Sequence, residues 1–439
     1  MATTLSATPG RTPVPATALE LLEALLADVP VPVAVRLWDG SVTAPRGEPV
    51  LTLVIKGPDA LRRLLTGGTE AELADLHLRG DVDLEGDLFA IAPLARALLD
   101  RPAPGLGERA RLAFGAARVL KGLPATGDTT TGPRHWASLR GTRHSAARDR
   151  AAVQHHYDIS NRFYALFLDP AMVYSCAVFA RADEELAPAQ VRKLDLICRK
   201  LRLQPGERLL DVGCGWGALL MHAAREYGVR AVGITLAERQ AELARERIRA
   251  AGLEDSCQVQ LVDYRALAGD GSFDKIASIG MFEHVGRARA PEYFRHVHRL
   301  LRPGGAYLHH AIIGDPRRPH RYAPTLSNLY VFPDHELLPV GDTITFAELE
   351  GLELRDVEAL REHYALTLRH WVATLDARHA DAAAEVGEST WRAWRLVFAG
   401  AAHNFENGRH RLVQALFVKP HADGSVVLPL ERRDWYERT

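Results

Sequence analysis

The chain has 439 residues, 47% of them apolar and 25% charged, with a formal net charge of −1. That balance belongs to a soluble globular protein too long for one ordinary core, so one large domain and a smaller one are expected. Near-zero net charge excludes a general attraction to nucleic acid and leaves any anionic surface to a local basic patch. The four cysteines (Cys176, Cys198, Cys214, Cys257) contain no C-x-x-C pair, so neither a disulfide framework nor a metal site is expected. No basic start precedes an apolar leader, and no apolar run reaches the ~18 residues of a membrane span, so the expected location is cytoplasmic.

Residues 1–17, rich in Thr, Pro and Ala, read as a frayed tail. Residues 18–103 read as a small α+β unit, with helices at Leu19–Leu26 and Ala60–Leu65 and strands at Ala34–Trp38 and Leu51–Ile55. Alternating polarity over Leu76–Asp87 predicts a half-buried strand, followed by a helix at Leu88–Leu99. The passage RGDVDLEGD (Arg79–Asp87) resembles sterol-carrier-type lipid-binding domains.

Residues 104–150 read as a connector, broken at Pro104-Gly105, Gly122-Leu-Pro124 and Gly132-Pro133. From 107 to 150 it carries nine basic residues against Glu108, Asp128 and Asp149. Between 109 and 123 the basic residues share a helical pattern with Leu112, Phe114, Val119, Leu120 and Leu123. Two readings fit: a basic amphipathic helix lying on an anionic membrane, or a linker helix packed on the main domain.

From 151 to 439 strands and helices alternate. Strands are expected at Arg208–Val212, Ala231–Thr235, Val259–Val262, Lys275–Ile279 and Ala306–Ile312, and helices at Ala218–Tyr227, Ala237–Ala250 and Ala290–Leu301. This is an α/β pattern and predicts a doubly wound, Rossmann-like parallel sheet.

The sharpest motif is Leu209-Leu-Asp-Val-Gly-Cys-Gly-Trp-Gly217, a buried strand entering a glycine turn that opens a helix. Glycines let backbone approach a ligand closely, and the helix start offers unpaired N–H groups. Asp211 inside the strand and the G-x-G-x-G spacing of Gly213, Gly215 and Gly217 resemble motif I of class I methyltransferases. That resemblance implies a site for S-adenosylmethionine. The second strand ends Gly233-Ile-Thr-Leu-Ala-Glu-Arg-Gln240 without the acid that usually binds ribose, so Thr235, Leu236 and Gln240 take its place. Asp263 and Tyr264 stand where the adenine is flanked, and Tyr174, Ser175 and Ile279 complete the implied cofactor set.

Further segments follow in order: His156-Tyr-Asp-Ile-Ser-Asn-Arg-Phe-Tyr164, Met172-Val-Tyr-Ser-Cys-Ala177, Gly280-Met-Phe-Glu-His-Val-Gly286, Phe332-Pro333 and His363-Tyr-x-x-Thr-Leu-x-x-Trp371. On these the chain resembles the cyclopropane-fatty-acyl-phospholipid synthase family, which includes the mycolic acid cyclopropane synthases, over about 151–420. The N-terminal unit suits the longer, phospholipid-acting members. The resemblance implies one-carbon transfer from S-adenosylmethionine to the double bond of a phospholipid acyl chain. It also implies work at a membrane surface, and it is compatible with a homodimer. The implied base is a bound bicarbonate held by Cys176, Glu283, His310, the backbone of Ile312, and Tyr364.

The residue types suit that chemistry. An alkene attacking a sulfonium methyl leaves a carbocation, and a base must then take a proton from the added methyl in a pocket that excludes water. Tyr and His donate hydrogen bonds to an anion, and a carboxylate accepts one from its hydroxyl. His309 and His310 point to opposite sides of a strand, and "LHHAIIG" aligns His310 with the family histidine. Each residue also has a plainer reading: Glu283-His284 as a surface turn, Tyr364 as core, Cys176 as a small hydrophobe or a thiol nucleophile. His156 and Tyr157 read as a lid over the cofactor, and His335 has no evident role. Phe179, Tyr307, Tyr330, Phe332 and Trp371 are candidates to line a cationic centre. Three rival outcomes remain: a methylene- or methyl-branched product, a small-molecule methyltransferase, and a lipid carrier on an inactive fold.

Overall fold

The computed structural model describes residues 14–67, 70–99, 105–124, 139–157, 159–317 and 325–436. The chain divides into two compact units, 1–134 and 135–439. Residues 1–13 of the expected tail, and the Gly132-Pro133 break, lie outside the described residues.

The first unit runs α1 (Val14–Leu26), β1 (Val33–Arg36), β2 (Leu51–Ile55), α2 (Pro58–Gly67), α3 (Glu70–Arg79), β3 (Val82–Gly86), α4 (Ile91–Leu99) and α5 (Leu106–Gly122). Residues 14–17 of the expected tail are therefore the first turn of a helix. β2 pairs in parallel with β1 and antiparallel with β3. The strand expected over Leu76–Asp87 is confined to Val82–Gly86. Residues 74–78 are all buried, so a period of two and a helical period read alike there. Gly80, at φ +81°, ends the helix, and His77 Nδ1 closes the turn by donating to the Val82 carbonyl at 3.0 Å.

α5 is the basic helix of the expected connector. Val119 and Leu123 are buried with Ala18, Leu21 and Leu61 in this unit's core, with Leu112 and Leu120 packed beside them. A Cβ on Gly115 would stand 3.2 Å from Leu21 Cδ1, so α1 and α5 are in close contact. The helix is thus part of this unit rather than a linker, and its apolar face is already covered. Arg109, Arg111, Phe114, Arg118 and Lys121 are exposed along it.

The second unit opens with α6 (Ala146–Tyr157), α7 (Asn161–Phe167) and α8 (Leu186–Leu201). The alternating part follows as β4 (Arg208–Val212), α9 (Ala218–Tyr227), β5 (Arg230–Thr235), α10 (Glu238–Ala250), β6 (Cys257–Leu261), β7 (Phe273–Ile279), α11 (Ala290–Leu300) and β8 (Leu301–Gly314). Then come α12 (Val340–Leu349), β9 (Glu353–Ala359), α13 (Arg361–Ala377), α14 (His379–Val386), α15 (Glu388–Glu406) and β10 (His410–Val418). The strand order is β6-β5-β4-β7-β8-β10-β9. Buried apolar clusters lie on both faces, as a doubly wound α/β sheet requires.

β10 runs antiparallel to β8 and β9, a departure from the all-parallel expectation. The physical reason is the path of the chain. His410, the first residue of β10, sits opposite Gly314, the last of β8, so the chain re-enters the sheet at the end where β8 leaves it. The order reverses between β4 and β7, and their C-terminal ends therefore open a crevice. Among the described residues no helix is long and apolar enough to cross a membrane.

Beside that crevice α9 lies directly on β5. A Cβ on Gly233 would fall 2.5 Å from Leu220 Cδ1 and 2.6 Å from Cys214 Cβ. Gly233→Val should therefore destabilise the protein by about 1–3 kcal/mol through overpacking. Thermal unfolding should show a melting temperature a few degrees lower, and an unchanged transition would contradict the tight α9–β5 seam.

Candidate active site

β4 delivers the buried Leu209–Val212 into Gly213, Gly215 and Gly217, at φ +89°, +52° and +81°. A Cβ on Gly213 would stand 3.0 Å from Met281, whereas one on Gly215 would meet nothing within 4 Å. The turn is pinned from outside. Trp216 Nε1 donates to Asn161 Oδ1 at 2.8 Å, and Arg247 donates to the carbonyls of Trp216 and Ala171 at 3.0 and 2.9 Å.

One pocket is lined by Tyr174, Ser175, Asp211, Gly213, Gly215, Thr235, Leu236, Gln240, Asp263, Tyr264 and Ile279, every residue of the expected cofactor set. Lys193, Met281 and His284 also line it and were not foreseen. Tyr157 lines it. His156 instead lies buried behind it, 5.6 Å from the Tyr174 ring and 5.0 Å from Trp394, with Nδ1 donating to the Val331 carbonyl at 2.7 Å.

The pocket's polar atoms are partly committed and partly free. Asp211 is buried with Oδ1 unpartnered, and burial pushes its carboxyl up to about 7 despite the nearby Lys193 ammonium. Lys193 is itself buried and donates to Ser175 Oγ at 2.7 Å, and burial brings its ammonium down to about 8. The Thr235 hydroxyl donates to Gln240 Oε1 at 2.9 Å, which leaves the Gln240 NH₂ for a ligand. Asp263 is held by Arg265 Nε and Nη2 at 2.8 and 2.7 Å, so its carboxylate is tied to its own loop. A cationic amino-acid end at Asp211, hydroxyls at Gln240 and an aromatic base beside Tyr264 would satisfy this set. S-adenosylmethionine has those three parts.

Next to the pocket lie the five residues expected to hold the base. Glu283 sits in a short helical turn, Phe282–His284, directly after β7. It is buried rather than a surface turn, and the Ile312 N–H donates to its Oε1 at 2.6 Å. That N–H is therefore engaged with Glu283 rather than standing free for an anion. Glu283 Oε2 has no partner, and burial raises the carboxyl to about 7. Tyr364, on α13, lies near enough for charge on Cys176 or Glu283 to bear on it. Cys176 is fully buried, its Sγ 3.1 Å from the Ala177 carbonyl, and burial pushes its thiol well up, which disfavours a nucleophilic thiolate. His310 is buried with Nε2 unpartnered, and burial, then Lys193 and Lys200, hold the ring neutral. His309 points the other way, into a core of Phe282 and Phe294, with Nδ1 2.8 Å from the Tyr307 hydroxyl.

The aromatic candidates divide. Trp371 lies 5.0 Å from Tyr174, and Phe332 lies 4.5 Å from His156, in one continuous wall. Tyr307 belongs to the opposite face of the sheet, stacked 6.0 Å from Phe417. Phe179 stacks on His363 and His370 of α13, and the Tyr330 carbonyl accepts from His155 at 3.3 Å. Trp394 and Phe398 of α15 join the wall unforeseen, although Trp391, Trp394 and Phe398 form a helical apolar stripe in the sequence. His335 closes its own turn, with Nδ1 donating to the Phe332 carbonyl at 2.7 Å.

The sheet order and the glycine turn at the switch point define a class I S-adenosylmethionine-dependent methyltransferase fold. Within that class, residues 144–415 match the mycolic acid cyclopropane synthetase family, and the chain belongs to it. A probable fatty acid methyltransferase of Pseudomonas putida is 40% identical over 422 residues, covering 95% of this chain and all of the relative. The solved cyclopropane synthase MmaA2 of Mycobacterium tuberculosis superposes with a TM-score of 0.59 at 33% identity, over 62% of this chain and 98% of its own. The mycolic acid cyclopropane synthase CmaA1, solved with SAH and CTAB, gives 0.58 at 37% identity, over 61% and 97%.

Because Asp211 must be ionised to receive a cation, binding of S-adenosylmethionine to the free protein should strengthen as pH rises through about 7 and release a proton below it. Asp211→Asn should weaken binding at least ~10-fold and abolish that dependence. Calorimetric titration in buffers of different ionisation enthalpy measures both, and a pH-independent affinity would contradict the assignment.

Proposed function

We propose that this protein transfers a one-carbon unit from S-adenosylmethionine to the double bond of an unsaturated phospholipid acyl chain and closes it to a cyclopropane. The observation that carries this reading is the pair of buried polar atoms, Glu283 Oε2 and His310 Nε2, left without protein partners beside the cofactor pocket. S-adenosylmethionine supplies a sulfonium methyl electrophilic enough for an isolated alkene to attack. Bicarbonate, when bound, supplies a base able to take a proton from the added methyl.

The chain's own residues hold and shield that chemistry. Glu283, near its midpoint at neutral pH, can accept the hydrogen of an acid-carbonate hydroxyl while the Ile312 N–H fixes its other oxygen. His310 and Tyr364 offer donors to the same anion. Tyr174, Trp371 and Trp394 present ring faces, which stabilise a passing cation without forming a bond to it. Their packing excludes water, which would trap the cation as an alcohol.

The phospholipid surface is proposed as partner from the outer face of α5, where Arg111, Arg118 and Lys121 share a side of the helix with the exposed Phe114. A second product has support from the full-length relative, whose name is a fatty acid methyltransferase. The same transfer followed by a hydride shift and loss of another proton gives a methylene-branched chain.

Incubation with oleoyl phospholipid vesicles and methyl-labelled S-adenosylmethionine should move label into the acyl chain. Glu283→Gln should lower that rate at least ~100-fold while S-adenosylmethionine binding stays within about twofold. Label confined to the cofactor across several headgroups would overturn the acyl-chain reading. Loss of cofactor binding in the variant would place Glu283 in the cofactor site instead.

A further inference from the structure

Three polar side chains lie in a row across the sheet beneath α8. His310 on β8 is the direct cross-strand neighbour of Gln414 on β10, and Gln414 is that of Glu358 on β9. Residues opposite one another on adjacent strands carry their side chains on the same face. From α8, the fully buried Lys200 reaches the gap between the last two. Its ammonium donates to Gln414 Oε1 at 2.7 Å and pairs with Glu358. Gln414 Nε2 then stands 3.1 Å from His310 Nδ1.

The chemistry of the row fixes its hydrogens. An ammonium has donors only, so it must face the amide oxygen of Gln414. The amide NH₂ is thereby turned toward His310, and an NH₂ only donates. His310 Nδ1 must therefore be the bare, accepting nitrogen, and the ring proton resides on Nε2, the atom left buried without a protein partner. A buried lysine on a helix and a buried glutamine on the sheet beneath it are costly unless each is satisfied, and this row satisfies both.

We propose that Lys200 and Gln414 are positioning residues that lock His310 in its Nε2–H tautomer, so that it offers the reaction's anion a hydrogen-bond donor and never a lone pair. This rests on the reading of His310 as a ligand of that anion. With Nδ1 bare and the neighbouring Lys193 and Lys200 ammoniums opposing a second proton, the neutral ring carries its single hydrogen at Nε2 and can only donate there. Glu358 completes the row from β9 by holding Lys200 in place.

The test uses the full chain with ¹⁵N-labelled histidine, His310 being assigned among the nineteen histidines by the signals lost in His310→Asn. The wild-type spectrum should show His310 protonated at Nε2, and protonation at Nδ1 would overturn the proposal without any variant. Gln414→Glu is nearly isosteric, but its carboxylate accepts from both Lys200 and His310 and so draws the ring proton to Nδ1. It should swap the two ¹⁵N shifts, lower kcat at least ~100-fold, as loss of one preorganised donor does, and leave S-adenosylmethionine affinity within about twofold. Lys200→Met frees the amide to rotate and should give a mixture of tautomers with an intermediate rate. If Gln414→Glu keeps the Nε2 proton while His310→Asn is inactive, the locking role falls and the anion site stands. If His310→Asn turns over at the wild-type rate, the anion site itself fails, and the locking role with it.

Discussion

Two carboxyl groups buried at neighbouring strand ends set the terms for this site. Asp211 at the end of β4 and Glu283 just past β7 flank the point where the strand order reverses, and each has an oxygen with no protein partner. Burial raises both to about 7. For Asp211, moving from 3.8 to about 7 amounts to roughly 4 kcal/mol against its charged form. Such groups are costly unless something satisfies them, and the two differ in what they ask for. Asp211 lines the cofactor pocket and suits a cation. Glu283, with one oxygen fixed by a backbone N–H, suits a partner that brings a hydrogen to the other.

The surrounding structure serves that pair. The glycine turn brings backbone close to Met281, the α9–β5 seam closes around Gly233, and Arg247 and Asn161 brace the turn from outside. The aromatic wall of α13 and α15 lies along the other side. The two buried lysines of α8 are seven residues apart and serve different neighbours, Lys193 reaching Ser175 and Lys200 reaching Gln414.

The parallel core and the cofactor pocket were legible in the sequence because local rules fix them. A strand–glycine turn–helix needs particular residues at particular steps, and the eleven residues expected around the cofactor do line one pocket. The failures have physical causes too. Over Leu76–Asp87 a helix buried on all sides reads like a strand, and Gly80 is the signal that separates the two. β9 and β10 were not foreseen, since three helices intervene between them and only the register of β10 with β8 on one side and β9 on the other explains their direction. The inward-pointing Lys193, Lys200 and Gln414 were invisible because charge and amide groups in sequence read as surface. Ile312 was expected to offer its N–H to an anion, and only the fold shows Glu283 already there.

The central claim is that a carbocation formed on an acyl chain is resolved by proton loss to a held base in a dry, aromatic-walled site. The most direct measurement is the ¹³C spectrum of acyl esters released after turnover of oleoyl phospholipid with ¹³C-methyl S-adenosylmethionine. The account predicts the label in a cyclopropane methylene, with no hydroxylated methyl product. A product dominated by a hydroxyl beside a labelled methyl would show that water reaches the cation and would contradict the account.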